Sequence, residues 1–304
     1  MAVGLFSGCT IYDDWRDCDT GVYLSFYNQT MCSVEQEPLV ELKNISILAF
    51  GEDGQLARQF QHTDLKWNEK GEVYLPLLKG NYQLFVWAGL DHQFTISKLQ
   101  NTDTPKALLY SLKQNKDKAT LDASTQVMMG SLEGVRVVGP ESIHASRLYQ
   151  VNLLEQTNHL TFILELDESI QEDINNFELI ISSSNGSAWV NGEMPLGLDP
   201  LIYQTKRKVT NNVLTENVTV LQLKAGYNNI ITIRHKQSGN IIYQADLLGS
   251  ILYKNPNIHL TCENHFNLKF MLKEKCSDCY TYICSSIWVN DWQIHSYETD
   301  LEIE

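Results

Sequence analysis

The chain has 304 residues, 43% of them hydrophobic and 20% charged, a composition that fits a folded protein of about two domains and excludes wholesale disorder. Its formal charge of −14 excludes a phosphate-binding nucleic-acid face and flat adsorption to anionic lipid, because no Lys/Arg cluster offsets 37 Asp and Glu. No apolar run reaches the length of a membrane-spanning helix.

In chain order, the first element is a signal rather than a strand. Residues 4–9 form an apolar run that ends in small residues and a cysteine. Phe6-Ser7-Gly8-Cys9 has the form of a bacterial lipobox, in which the thiol takes a diacylglycerol and small neighbours fit the peptidase. Only eight residues precede Cys9 and none is Lys or Arg, so the stretch reads as the tail of a truncated or mis-started signal peptide. An ordinary N-terminal strand with a chance cysteine is the alternative. Each buried methylene contributes about 0.8 kcal/mol, so two or more acyl chains anchor a protein without any spanning helix. The acidic stretch 13–19 reads as a solvated tether, with Arg16 open to proteolysis. Asp17 and Asp19 alternate as calcium ligands do, but the glycine and closing glutamate of a calcium loop are missing.

Strand signals then dominate. Residues 21–29 alternate Val22, Leu24 and Phe26 on one face with Tyr23, Ser25 and Tyr27 on the other. Residues 45–60 read as a hairpin turning at Asp53-Gly54, where a tight turn demands positive φ. Residues 71–90 read as two more strands broken at Lys79-Gly80, and 103–114, with Pro105 near its start, as a short connecting helix. The second half repeats this grammar. A strand over 159–168, a hairpin over 177–193 turning at Asn185-Gly186, and a strand pair over 221–233 follow at an offset of about 140 residues. The last hairpin, 285–302, turns at Asn290-Asp291, with Trp288 and Trp292 flanking the turn and Ile294 on the return strand.

Many short strands, Gly/Asn/Asp turns and almost no helix predict an all-β protein of two tandem antiparallel β-sandwiches. The expected organisation is a signal remnant, lipobox and tether over 1–20, an N-terminal sandwich over 21–140 and a C-terminal sandwich over 147–304, with the seam in 131–146.

With Cys9 set aside, six cysteines remain: Cys18, Cys32, Cys262, Cys276, Cys279 and Cys284. An even count in an exported chain points to disulfides, and six cysteines allow 15 pairings. Clustering near the chain ends favours Cys18 with Cys32 and pairing among the last four. The sequence has no Gly-x-Ser-x-Gly elbow, His-Glu-x-x-His, phosphate loop or dinucleotide-binding glycine motif, so neither catalysis nor a cofactor is expected. Chemistry, if any, would sit at Cys276, Cys279 and Cys284, as a redox pair or half a zinc site. A redox pair favours a helix N-terminus, however, and residues 280–289 read as strand. Zinc would have to recruit Cys262 or His265. Structural disulfides are the preferred reading; zinc, redox chemistry and free thiols are the alternatives.

Several features together resemble one family over essentially the whole chain. They are Phe6–Cys9, residues 12–27, two transthyretin-like sandwich patterns, and the close Ile287-Trp288-Val289-Asn290-Asp291-Trp292 before an acidic last strand. The chain resembles the fimbrillin-associated anchor lipoproteins of type V fimbriae. It departs in having Asn290-Asp291 where those proteins usually have Asn-Gly, and in its cysteines at 276–284. The resemblance implies an outer-membrane, cell-surface lipoprotein held by lipid on Cys9, which anchors or terminates a fimbria through strand addition to a stalk subunit. It further implies that residues 21–29 are a retained first strand and that 285–304, with Trp288, Trp292 and Ile294, contact that subunit. Two alternatives stand beside it: a fibre tip or other surface lipoprotein binding glycan or host protein, with Trp67, Trp87, Trp288 and Trp292 as stacking surfaces, and a zinc or redox protein.

Overall fold

The computed structural model describes residues 20–97, 100, 103–139, 148–276 and 281–296. Strands β1 (Val22–Asn28) and β2 (Glu37–Pro38) precede a hairpin of β3 (Ser46–Phe50) and β4 (Leu56–Gln61). Then come β5 (Lys66–Trp67), β6 (Val73–Leu75) and β7 (Gly80–Ala88). An excursion carries β8 (Phe94–Ile96), β9 (Leu109–Leu112), β10 (Gln114–Asn115) and β11 (Lys118–Ala119). The chain then returns to β12 (Met128–Val137), β13 (Leu148–Asn152) and β14 (Leu154–Glu155). The second half runs through β15 (Thr157–Leu166), β16 (Phe177–Ser183), β17 (Ser187–Trp189), β18 (Leu201–Tyr203) and β19 (Lys206–Thr210). It continues as β20 (Val213–Leu221), β21 (Ile230–His235) and β22 (Ile241–Asp246), and closes on β23 (His265–Cys276), β24 (Thr281–Val289) and β25 (Trp292–Ser296). Helix among the described residues is limited to short 3-10 turns.

The repeat read in the sequence is a repeat of topology. One sheet of the first sandwich has the order β13-β1-β6-β5, and its counterpart in the second runs β23-β15-β20-β19. The facing sheets run β12-β7-β3-β4 and β22-β21-β16-β18. Even the hands of pairing agree: β1 is parallel to β13 and antiparallel to β6, as β15 is parallel to β23 and antiparallel to β20. The second sandwich then adds β24 and β25 beyond β23.

Period-two patterning decides what each strand buries. Val22, Leu24 and Phe26 of β1 point into the first core with Ile47, Leu84, Val86 and Val151. β3 is buried along its whole length because both of its faces are covered. Ile47 and Ala49 enter the first core, while Leu48 and Phe50, with Phe85 and Trp87 of β7, join a second core that extends through the second sandwich. The Trp87 indole is 2% exposed, and its Nε1 donates to the Val190 carbonyl at 2.7 Å. Each large apolar side chain so buried contributes about 1.5–3 kcal/mol. The second core therefore includes the outer faces of β3 and β7 and ties the two sandwiches together.

Three expectations are corrected. Residues 103–114 form a turn at Pro105 and then β9, not a helix. Tyr110 and Leu112 alternate inward while Leu109 and Ser111 stay half-buried, and β9 pairs with β8 and β17. Asn185-Gly186 is not a hairpin turn: β16 pairs with β18 and β21, while β17 leaves for β9. Asn185 is instead fully buried, donating from Nδ2 to the Leu221 carbonyl at 2.6 Å and accepting from Tyr203 Oη at 2.7 Å. A Cβ at position 186 would lie 2.3 Å from Leu201 Cδ2, so a larger residue there would force the buried Leu201 side chain to shift. Finally, β13 and β14 complete the first sandwich, so the changeover falls at Gln156 rather than within 131–146. Residues 89–127 also cross early: β10 and β11 extend a sheet of the second sandwich through β18.

Candidate functional site

The C-terminal ribbon is built by a two-residue turn at Asn290-Asp291, both with positive φ (46° and 63°), which suits the twist of a tight hairpin. Asn290 fixes the turn on β23: its amide donates to the Asn267 carbonyl at 2.9 Å and its Oδ1 accepts from the Asn267 amide at 2.8 Å. With that turn length Val289 pairs with Trp292, so those two side chains share a face. Trp288 pairs with Gln293 and faces the other way. The two tryptophans therefore do not make one aromatic surface. Trp288 is half-buried under the Lys269 ammonium, 5.3 Å from its ring centre, and Lys269 also pairs with Glu165 at 2.9 Å. Trp292 is 48% exposed, beside a depression of about 260 Å³ that Asn255, Asn257, Ile258 and Asn290 help to line. Ile294 packs, partly buried, against the second core.

β25 is the end strand of its sheet, and among the described residues nothing pairs with its outer side. The two ends of this sheet differ chemically. β19 carries Lys206, Arg207 and Lys208, whereas β25 has no lysine, arginine or proline. Charged or proline-bearing edges resist pairing with other chains, so β25, interrupted by a bulge at Ile294 but free of such charges, is the less guarded of the two. β1 offers the opposite situation. It is bonded on both sides, to β13 and β6, with its apolar face filling the first core.

Of the remaining aromatic candidates, Trp87 is buried and Trp67 packs on Phe26 with ring centres 5.9 Å apart. Trp87 is thereby closed to a sugar ring, while Trp67 is partly buried.

The cysteines pair differently from the expectation of Cys18 with Cys32. Cys32, in the segment after β1, is bonded to Cys262, just before β23, with Cα atoms 5.9 Å apart. Sequence proximity misled because the fold folds back: the two sandwiches bring residues 230 apart in sequence together. Cys262 is thereby lost as a thiolate ligand for zinc. Cys284 is a buried free thiol on β24 whose Sγ donates to the Ser286 carbonyl at 3.7 Å; burial pushes its pKa up to about 12, which keeps it protonated and unreactive. Cys9, Cys18 and Cys279 lie outside the described residues, as does the side chain of Cys276, the last residue of β23.

The joint between the sandwiches is a polar cluster that no motif announces. Glu155 ends β14 and accepts from Thr157 Oγ1 at 2.6 Å, Gln126 Nε2 at 2.9 Å and Asn264 Nδ2 at 3.2 Å. His159 Nε2 lies 2.9 Å from its Oε1, and the His159 ring stacks on His265 at 4.5 Å. A cleft of about 340 Å³ opens beside it. Burial would raise the Glu155 pKa, but hydrogen bonds from His159, Thr157 and Gln126, aided by the His159 charge, outweigh burial and hold the carboxyl below the ordinary carboxylate range. A depressed folded pKa stabilises the fold above the unfolded carboxylate range and loses that contribution as pH falls through the folded value. Glu155→Gln should therefore cost about 1–3 kcal/mol at neutral pH, with the gap to the parent closing below the carboxylate range. Urea unfolding across pH checks this; a gap that stays constant into acid would contradict it.

Against known proteins, residues 16–298 match the family described as fimbrillin-A associated anchor proteins Mfa1 and Mfa2. The minor fimbrium anchoring subunit Mfa2 of Porphyromonas gingivalis is 32% identical over 303 residues, 96% of this chain and 90% of that protein. The solved structure of the fimbrial anchor protein Mfa2 from Porphyromonas gingivalis superposes with a TM-score of 0.78 at 29% identity, covering 91% of this chain and 99% of that one. A candidate polysaccharide-binding protein from Bacteroides thetaiotaomicron gives a TM-score of 0.72 at 15% identity over 90% of this chain and 96% of its own, a likeness of fold alone.

Proposed function

The chain belongs to the family of fimbrillin-A associated anchor proteins, and from that premise we propose that it holds the base of a fimbria on the outer membrane and ends fibre growth there. Its relatives are fimbrial anchors, not enzymes. Acyl chains on Cys9, at the end of the lipobox-like Phe6–Cys9, supply the membrane attachment. The acidic tether then lifts the sandwiches from the surface.

The observation that carries this reading is β1, bonded on both flanks with its apolar face in the core. A subunit that fills its own groove neither needs nor accepts a strand there from another chain, so growth stops at it. The less guarded β25 supports a docking edge for the last stalk subunit, whose main chain would extend the sheet while side-chain pockets set register.

Deletion of residues 293–304 tests the docking edge. Loss of cell-attached fibres in electron micrographs, with the truncated protein still present on cells, is the expected outcome. Fibres of normal length that remain attached would refute the C-terminal role.

A further inference from the structure

The Cys32–Cys262 bridge joins positions 230 apart in sequence and so closes most of the chain into one covalent ring. Among the described residues, only β1 and its exit precede the ring, and only β23, β24 and β25 follow it. We propose that the bridge is a tension bypass. When the chain is drawn between its N-terminal side and its C-terminal ribbon, force runs along β1, across the sulfur–sulfur bond and directly into β23. The residues between Cys32 and Cys262, which include the greater part of both sandwiches, lie outside that covalent path. This use of the bridge rests on the reading that the protein is held from its N-terminal side and loaded through β23–β25.

Both ends of the path are well fixed. The Gln29 amide donates to Asn152 Oδ1 at 2.9 Å, Asn152 Nδ2 donates back to the Gln29 carbonyl at 2.8 Å, and Asn28 Nδ2 donates to the Leu153 carbonyl at 2.6 Å. The exit from β1 is thus tied to β13 and the start of β14. Thr261 Oγ1 reaches Met31 Sδ at 3.3 Å, so the segments carrying the two cysteines also touch beside the bond. Beyond Cys262, β23 is flanked on both sides, parallel to β15 and antiparallel to β24. Without the bond, the covalent route from β1 to β23 runs in series through every element from β2 to β22. With it, hydrogen-bonded strands in that interval are bypassed by a covalent link, and the Glu155 joint stays closed while the ends are loaded.

Lengths make the device measurable. An extended chain spans about 3.3–3.6 Å per residue, so residues 20–32 and 262–296 release at most about 17 nm, whereas opening the ring adds about 80 nm. The full-length protein, tethered by its two termini in an optical trap, should reach a contour length about 80 nm shorter when oxidised than after dithiothreitol. The double variant Cys32→Ser, Cys262→Ser should match the reduced chain, and reduction of the wild-type protein gives the same comparison without any substitution. Equal contour lengths in the oxidised and reduced chains would overturn the proposal. So would peptide mapping of the unreduced protein that finds Cys32 bonded to a residue other than Cys262. Neither membrane nor fibre enters this experiment, so its failure is separable from failure of the anchoring role, which is read from fibres on cells.

Discussion

Trp87→Ala should lower the free energy of unfolding by about 3–5 kcal/mol. The residue sits where the outer face of β7 meets the second sandwich, packed against Tyr110 with ring centres 5.1 Å apart and bonded to the Val190 carbonyl. Removing the indole leaves a cavity in the interior shared by both sandwiches and strips a buried carbonyl of its donor. Trp87→Phe separates the two effects. It keeps most of the apolar bulk but not the N–H, and should cost about 1–3 kcal/mol. Denaturant unfolding of both variants measures the pair. A Trp87→Phe cost within the roughly ±0.5 kcal/mol of a surface substitution would show that the bond to Val190 does not hold the sandwiches together.

Loss of the disulfide comes next. In the chain-entropy argument, a ring closed over some 230 residues restricts the unfolded ensemble by about 5 kcal/mol, and measured values for native bridges run at about 2–5 kcal/mol. The double variant Cys32→Ser, Cys262→Ser should therefore unfold at a lower urea concentration, with a loss in that range. It should also show a steeper dependence on urea, because an unbridged unfolded chain exposes more surface. The folded state should be unchanged in circular dichroism, since the apolar cores and the strand pairing do not include the bond. An unchanged midpoint on reduction would mean that the bridge constrains nothing in the unfolded chain.

What the sequence shows and what it hides follow from the range of each interaction. β1, the β3–β4 hairpin at Asp53-Gly54 and the ribbon at Asn290-Asp291 are readable because alternation and turn chemistry are local. Asn185-Gly186 looks identical to a turn dipeptide, yet here the same residues serve a buried hydrogen-bond cluster, and only the partners Tyr203 and Leu221 reveal it. Residues 108–112 read as helix because Leu108, Leu109, Tyr110 and Leu112 crowd any period; pairing of β9 with two other strands decides for extended chain. The seam is missed for a similar reason. β13, β14 and β15 run on with almost no punctuation, and only the parallel pairing of β13 with β1 assigns it to the first sandwich.

The candidate site was half legible. Trp292 and Ile294 share the edge strand β25, as their positions around a two-residue turn require. The same parity puts Trp288 on the opposite face, a consequence the turn length already contains. The Cys32–Cys262 bond and the meeting of Gln126, Glu155 and Asn264 belong to the fold alone, since no spacing rule connects residues so far apart.

Whether this molecule moors a fibre is tested most directly by where the fibre goes when Cys9, the proposed acylation site, is replaced. In cells carrying Cys9→Ala, fimbrial protein should shift from the cell pellet to the culture medium as intact fibres, with the variant itself in the soluble fraction. Fibre protein that stays with the cells at the wild-type level, while the variant is no longer membrane-bound, would contradict anchoring by this chain.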